Sequence, residues 1–160
     1  MTEQKTNVMR LLDQKKIPYQ AHSYPHGDEA VDGVTAAGLI GKDPACVFKT
    51  LLARGASKTC YMFVIPVAAE LDLKKAAGAV REKSVSLLHV SELLPLTGYV
   101  RGGCSPIGMK KLFKTFYHVS AETLDTMIVS AGKIGFQVEM SPKALMELTR
   151  GTTADLITEE

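Results

Sequence analysis

Val47-Phe48-Lys49-Thr50-Leu51-Leu52 and, after seven intervening residues, Cys60-Tyr61-Met62-Phe63-Val64-Ile65-Pro66 are the stretches that decide the fold. Each is a short, nearly unbroken apolar run rich in β-branched and aromatic residues. A strand covered on both faces reads this way. Toward the N-terminus, Val8, Leu11 and Leu12 have helical spacing, Lys15-Lys16 suits a last turn, and Ile17-Pro18 ends the helix. Tyr19 to Tyr24 reads as a strand, Asp28 to Leu39 as an alanine-rich helix interrupted by Gly33, and Asp43-Pro44 as a turn.

Toward the C-terminus, Asp72 suits the N-cap of a helix carrying Leu73, Ala76, Ala77 and Val80. Strands are expected at 85–89, 99–101, 116–119, 126–130 and 136–140. The final helix is the most sharply marked. Ser141 caps it, Pro142 opens it, Leu145 and Leu148 form its apolar stripe, Arg150 lies in its last turn, and Gly151 stops it. Strands outnumber helices and seldom alternate with them regularly, which argues against a doubly wound fold. The expectation is an α/β chain of the α+β type: a mixed, mostly antiparallel, barrel-like sheet flanked by helices.

The 160 residues suit one domain spanning 1–160, and 46% hydrophobic with 22% charged residues is a globular composition. Nineteen Lys and Arg against seventeen Asp and Glu leave a net charge of +2, too small a bias to mark a nucleic-acid binder by field alone. A local basic patch remains open. The longest uncharged apolar run, Cys60 to Ala69, is ten residues with a proline inside, far short of a membrane span. The polar start Thr2-Glu3-Gln4-Lys5 does not read as a secretory signal, so a cytoplasmic location is expected. Cys46, Cys60 and Cys104 form no C-x-x-C, and they read as small buried hydrophobes in a reducing compartment rather than as a zinc or disulfide framework.

Several residues stand out chemically. Alternation puts Val47, Lys49 and Leu51 on one face of their strand and Phe48, Thr50 and Leu52 on the other. A lysine there either lies at a rim or points into a pocket, where its ammonium would need a task. In Gly102-Gly103-Cys104-Ser105-Pro106-Ile107-Gly108, two adjacent glycines either make a tight turn or bring N–H groups close to a developing oxyanion. Ser130-Ala131-Gly132-Lys133-Ile134-Gly135 is either a hairpin or a second backbone-rich loop of the same site. Tyr24 is either an ordinary strand-end residue or a pocket wall or hydroxyl donor. His22 and His26 flank it with only Asp28 and Glu29 for support, so no metal site is expected. His89 and His118 read as structural. Cys104 has no histidine placed beside it to activate a nucleophile. Arg101, Lys110, Lys111 and Lys114, with Lys74-Lys75, Arg81 and Lys83, are either solvated faces or a surface that tracks phosphates.

Taken in order, Phe48-Lys49-Thr50-Leu51, Leu71-Asp72-Leu73-Lys74-Lys75-Ala76-Ala77, Thr97-Gly98-Tyr99-Val100-Arg101-Gly102-Gly103-Cys104-Ser105-Pro106-Ile107-Gly108 and Ser130-Ala131-Gly132-Lys133-Ile134-Gly135 resemble the YbaK/EbsC family, over nearly the whole chain. That family is related to the editing domain inserted in bacterial prolyl-tRNA synthetase. The resemblance implies a cofactor-free trans-editing deacylase that takes the acceptor end of a mischarged aminoacyl-tRNA, typically cysteine on tRNA for proline, with prolyl-tRNA synthetase as a partner. It implies Lys49 as the catalytic residue and Tyr24, Thr50, Gly102, Gly103, Ser105, Ser130 and Gly132 as substrate contacts. In the cysteine-specific branch the substrate's own thiol attacks its carbonyl. The sequence departs from the family at Cys104, often a branched aliphatic residue, and at Ile134, where the second loop often has arginine. Deacylation of another mischarged amino acid such as alanine, or a non-catalytic tRNA- or synthetase-binding module, is the rival reading. A Schiff-base lysine enzyme is a third.

Overall fold

The computed structural model describes residues 5–25, 31–110 and 113–158. In order come α1 (Asn7–Gln14), β1 (Gln20–Ser23), α2 (Gly33–Leu39), β2 (Phe48–Gly55), β3 (Cys60–Pro66), α3 (Leu73–Val80) and β4 (Val85–Leu87). They are followed by α4 (Val90–Thr97), β5 (Lys114–His118), β6 (Met127–Lys133), β7 (Phe136–Met140), α5 (Pro142–Thr149) and β8 (Thr152–Ala154), with short 3-10 turns at Pro44–Cys46 and Val119–Thr123. The strands form two sheets, ordered β1-β7-β6 and β4-β2-β3-β5-β8. β1–β7, β6–β7, β2–β3 and β2–β4 are antiparallel, while β3–β5 and β5–β8 are parallel. The mixed, mostly antiparallel sheet with flanking helices is therefore as expected. It does not close into a barrel among the described residues; a parallel bridge, Val47 to Ile128, joins the two sheets.

The principal core lies between the sheets. Phe48 and Val64 of the larger sheet meet Val129, Ala131, Val138 and Met140 of the smaller, and Val8, Met9 and Leu12 of α1 and Leu145 of α5 complete the cluster. On the other face of the larger sheet, Ala53, Tyr61, Phe63 and Ile65 pack against Ala76 and Ala77 of α3. Burial on both faces explains why β2 and β3 read as nearly unbroken apolar runs.

The departures have local causes. The strand expected at 85–89 ends at Leu87, because His89 begins α4 and donates its N–H to Glu92 Oε2 at 3.0 Å. α4 itself was hidden by Pro95, which lies inside it. Tyr99 to Arg101 forms no strand but leads into a turn. β5 starts at Lys114, two residues ahead of expectation, β6 runs on to Lys133, and the three-residue β8 carries no apolar run to announce it. α2 starts at Gly33, capped by Asp32, whose Oδ1 accepts the Thr35 N–H at 2.7 Å. Residues 28–30 of the expected helix lie outside the described residues. Cys104 is buried, but Cys46 and Cys60 are only partly so, and all three are free.

α5 matches its sequence signature: Ser141 Oγ accepts the Ala144 N–H at 3.3 Å and Pro142 opens the helix. Ser141→Ala removes that cap while keeping Pro142, and should cost about 1 kcal/mol, read as a lower urea midpoint at unchanged slope. An unchanged midpoint would show that water caps the helix equally well.

A candidate active site at the open edge of β2

β4 pairs with only the last residues of β2, Ala53 to Gly55. Leu52 O still accepts from Leu88 N at 3.0 Å, so the even-numbered residues of β2 direct their backbone groups to that edge. Thr50, two residues earlier, therefore has its N–H and C=O on a stretch of edge that no named strand pairs. β6 lies alongside. The parallel register of the Val47–Ile128 bridge, carried two residues on, sets Lys49 level with Ser130. The site is thus a gap in strand pairing between the end of β4 and the divergence of β6.

Two side chains of β2 flank this gap from opposite faces. Lys49 pairs in register with Ile65, and Thr50 with Val64, whose side chain lies between the sheets. Thr50 Oγ1 is buried with no hydrogen-bond partner among the described residues. Lys49 is half-buried, and burial pushes its pKa below 10.5, partly offset by the charge of Glu70. No hydrogen bond or ion pair holds its ammonium among the described residues. A cation left half-desolvated without a partner is poorly stabilised by its own protein, which is the property of a group kept for a ligand.

The two glycine loops meet beside this edge. Gly103 N donates to Val100 O at 3.0 Å, closing a turn in which Gly102 takes φ +84°. That φ suits glycine at the third position of a type II turn. The expected role of the Gly103 N–H as a substrate donor is therefore displaced: its hydrogen is already spent on the turn. The N–H groups of exposed Gly102 and of Cys104 have no acceptor among the described residues. A Cβ placed on Gly103 would stand 3.2 Å from Ile134 N and 3.3 Å from Lys133 Cα. Glycine is needed there for close approach of the second loop.

Ser105 is fully buried, and its Oγ accepts the Ile107 N–H at 3.2 Å. The substrate contact expected of it gives way to shaping its own loop from inside. Ser130 Oγ likewise accepts the Gly132 N–H, at 3.1 Å, but this side chain is only partly buried. Gly132 takes φ +95°, and a Cβ there would meet Tyr99 Cε1 at 3.0 Å. Tyr99 donates its hydroxyl to Ile107 O, so its ring clamps the first loop to the second. Burial pushes the Tyr99 phenol up to about 12, keeping it a donor at any physiological pH. Sequence reasoning missed Tyr99 as part of the site, although Thr97-Gly98-Tyr99 directly precedes the glycine pair.

Tyr24 is buried, and its N–H donates to Gly135 O at 3.0 Å, tying it to the second loop. The hairpin from Ser130 to Gly135 therefore touches Tyr24, Tyr99 and the first loop. Cys104 packs with Leu52 and Met62, and burial pushes its thiol up to about 12. It is protonated at neutral pH and does not serve as a thiolate nucleophile. His22 is committed elsewhere, its Nε2 2.8 Å from Glu139 Oε1, an oxygen that Lys42 also approaches at 3.3 Å. His26, Asp28 and Glu29 lie outside the described residues. Among the described residues no three His, Cys, Asp or Glu side chains are grouped to hold a metal.

Residues 28–148 match the family of aminoacyl-tRNA editing domains. The chain belongs to that family. Over 159 residues, 99% of this chain and 97% of its relative, it is 43% identical to EbsC of Enterococcus faecalis, provisionally named Cys-tRNA(Pro)/Cys-tRNA(Cys) deacylase. Two solved structures share the editing-domain fold. One, provisionally described as a trans-editing enzyme for prolyl-tRNA synthetase, is 20% identical with a TM-score of 0.82 over 98% of this chain and all of its own. The other, the hypothetical protein APE2540, is 21% identical with a TM-score of 0.84 over 96% of this chain and all of its own. No helix among the described residues of this editing domain is long and apolar enough to cross a membrane.

Two cavities of this editing domain lie away from the gap. One of about 550 Å³ is lined by Glu122, Asp125 and Glu147 beside Pro142 and Met146. Its three carboxylates outnumber the single cation, Lys143, and disfavour an RNA terminus. The other, about 260 Å³, touches only the far limb of the first loop, Pro106 to Met109. Neither is lined by Lys49, Thr50, Gly102 or Gly103.

Proposed function

We propose that this protein works as one editing domain in the cytoplasm, a free-standing deacylase that clears cysteine from mischarged tRNA for proline and also accepts Cys-tRNA(Cys). The observation that carries the reading is an unpartnered, half-buried Lys49 on the open edge of β2, in a chain 43% identical to a protein provisionally named for that substrate. A pocket built for proline rejects a residue of similar bulk by only about 1–3 kcal/mol. A second site that cleaves the wrong ester adds the missing discrimination. Lys49 and the N–H groups of Gly102 and Cys104 supply positive charge to the carbonyl oxygen as it becomes an oxyanion. In this reading Ser130 orients the terminal ribose, and Thr50 meets it through its edge-facing backbone groups.

With Cys104 held as a thiol, the nucleophile comes from the substrate. The cysteinyl thiol loses its proton and its sulfur attacks the ester carbonyl. The C–O bond to the tRNA breaks, the 3′-oxygen takes up a proton, and a cyclic thioester leaves. Prolyl-tRNA synthetase is the partner that would deliver the substrate; a modest net charge of +2 favours help of this kind over tight binding of tRNA alone.

The test is a panel of one tRNA carrying cysteine, serine or alanine, assayed under multiple turnover. Cysteinyl-tRNA should be cleaved at least roughly tenfold faster than either oxygen or hydrogen counterpart, a difference of about 1.4 kcal/mol. Equal cleavage of all three would replace thiol attack by water attack, and fastest cleavage of alanyl-tRNA would reassign the substrate. No turnover with any of them would leave only a binding module.

A further inference from the structure

We propose that Arg101 and Lys133, one on each glycine loop, form a phosphate-binding subsite for the single-stranded 3′ end of a tRNA. The inference rests on the deacylase reading for its placement and deepens it by naming what holds the nucleotides behind the ester. The two residues are brought together by the seam already described. Lys133 Cα lies against Gly103, 3.3 Å from where a Cβ would be, and Arg101 is the second residue of the turn that Gly103 closes.

Both side chains are exposed, and neither has an acidic partner among the described residues. Some cations elsewhere on the molecule do have them, Arg54 with Glu92, Lys42 with Glu139 and Lys75 with Asp155, while others, such as Lys58 and Arg81, have no ion pair among the described residues either. What sets the two loops apart is the sequence around them. From Leu93 to Ala121 there is no Asp or Glu, but there are Arg101, Lys110, Lys111 and Lys114, and from Thr126 to Val138 the only charge is Lys133. In a chain with a net charge of only +2, these two stretches thus carry positive charge with no acidic residue near it in sequence.

The two cations divide the work. A guanidinium at a turn corner offers a planar, two-pronged grip on one phosphate, while the ammonium acts as a point charge on its neighbour. They stand beside the gap that receives the ester, so the phosphates they hold are those of the last unpaired nucleotides. Gripping them fixes the ester against Lys49 without touching the reacting atoms.

The experiment measures binding of a fluorescein-labelled, uncharged RNA minihelix ending in its single-stranded tail, by anisotropy from 50 to 300 mM NaCl. Each of Arg101→Ala and Lys133→Ala should reduce the slope of log K against log[salt] by roughly 0.7, and the double variant by roughly 1.4. A minihelix trimmed of its tail should bind the wild-type protein with the slope of the double variant, and Arg101→Lys should keep the slope. The proposal is overturned by an unchanged slope in the double variant, by loss of slope equally on the trimmed minihelix, or by no measurable wild-type binding at 50 mM NaCl. The deacylase reading fails separately. A protein that binds the tail with this salt dependence yet cleaves no ester refutes that reading alone; a double variant that cleaves cysteinyl-tRNA with an unaltered slope refutes only the phosphate subsite.

Discussion

Lys49→Ala should slow deacylation of pre-formed Cys-tRNA by roughly a hundred- to a thousandfold, the loss expected when one donor to a developing oxyanion is removed. The protein should fold at least as stably as before. The ammonium is half-buried without a hydrogen bond or ion pair, and the attraction of Glu70 is smaller than its desolvation penalty, so deleting it removes more cost than support. That pairing of outcomes separates a catalytic role from a structural one. Lys49→Arg should not restore the rate, because the longer, planar guanidinium places its charge elsewhere.

The pH dependence follows from the same burial. The folded-state pKa of Lys49 is below 10.5, its value in the unfolded chain. Between those two values the unfolded chain binds more protons, so this group's contribution to stability rises with pH, and its penalty is fully present at neutral pH. Activity runs the other way. The ammonium is the acting form, so the rate should fall as pH climbs through the lowered pKa. An intact rate in Lys49→Ala, measured with wild-type protein alongside, would remove the residue from the mechanism.

How much of this was legible in the sequence depends on how local the cause was. β2 and β3 could be read because burial on both faces leaves a largely apolar run, which in β2 Lys49 and Thr50 interrupt. α5 could be read because Ser141 and Pro142 are consecutive and act within one turn. α4 could not, since a proline inside an eight-residue helix outweighs the His89 and Glu92 contact that starts it. At the site, the glycine pair marked the first loop and Lys49 marked the strand. The Gly103 N–H is lost to Val100 within a local turn, which the glycine pair marks without saying which N–H it uses. Two further features depend on distant partners. Thr50 lies on an unpaired edge only because β4 stops at Leu87. The second loop reaches Gly103 where β6 shifts register between Ser130 and Lys133. Neither of these has a sequence pattern of its own.

The contact between loops makes the second large prediction. Gly132→Ala should cost about 2–3 kcal/mol of stability, by left-handed backbone strain and crowding together, and should also abolish most deacylation although Lys49 is untouched. At φ +95° an alanine is strained before any contact is considered, and its Cβ would stand 3.0 Å from Tyr99 Cε1 and 3.2 Å from Val8 Cγ2. Neither neighbour can retreat. Val8 is in the core, and Tyr99 is held by its hydroxyl on Ile107 O and by its N–H on Thr97 Oγ1 at 3.0 Å. Relief must come from moving one loop off the other, which takes Gly102 and Cys104 away from the β2 edge. Gly38→Ala and Gly78→Ala are the controls, because a Cβ at either meets nothing within 4 Å. Both lie inside helices, where alanine is favoured over glycine by roughly 1 kcal/mol, so urea midpoints should stay or rise and the rate should hold. If Gly132→Ala matched those controls in midpoint and rate, the two loops would not be locked through Tyr99, and the oxyanion donors assigned to the first loop would have to be sought elsewhere along β2.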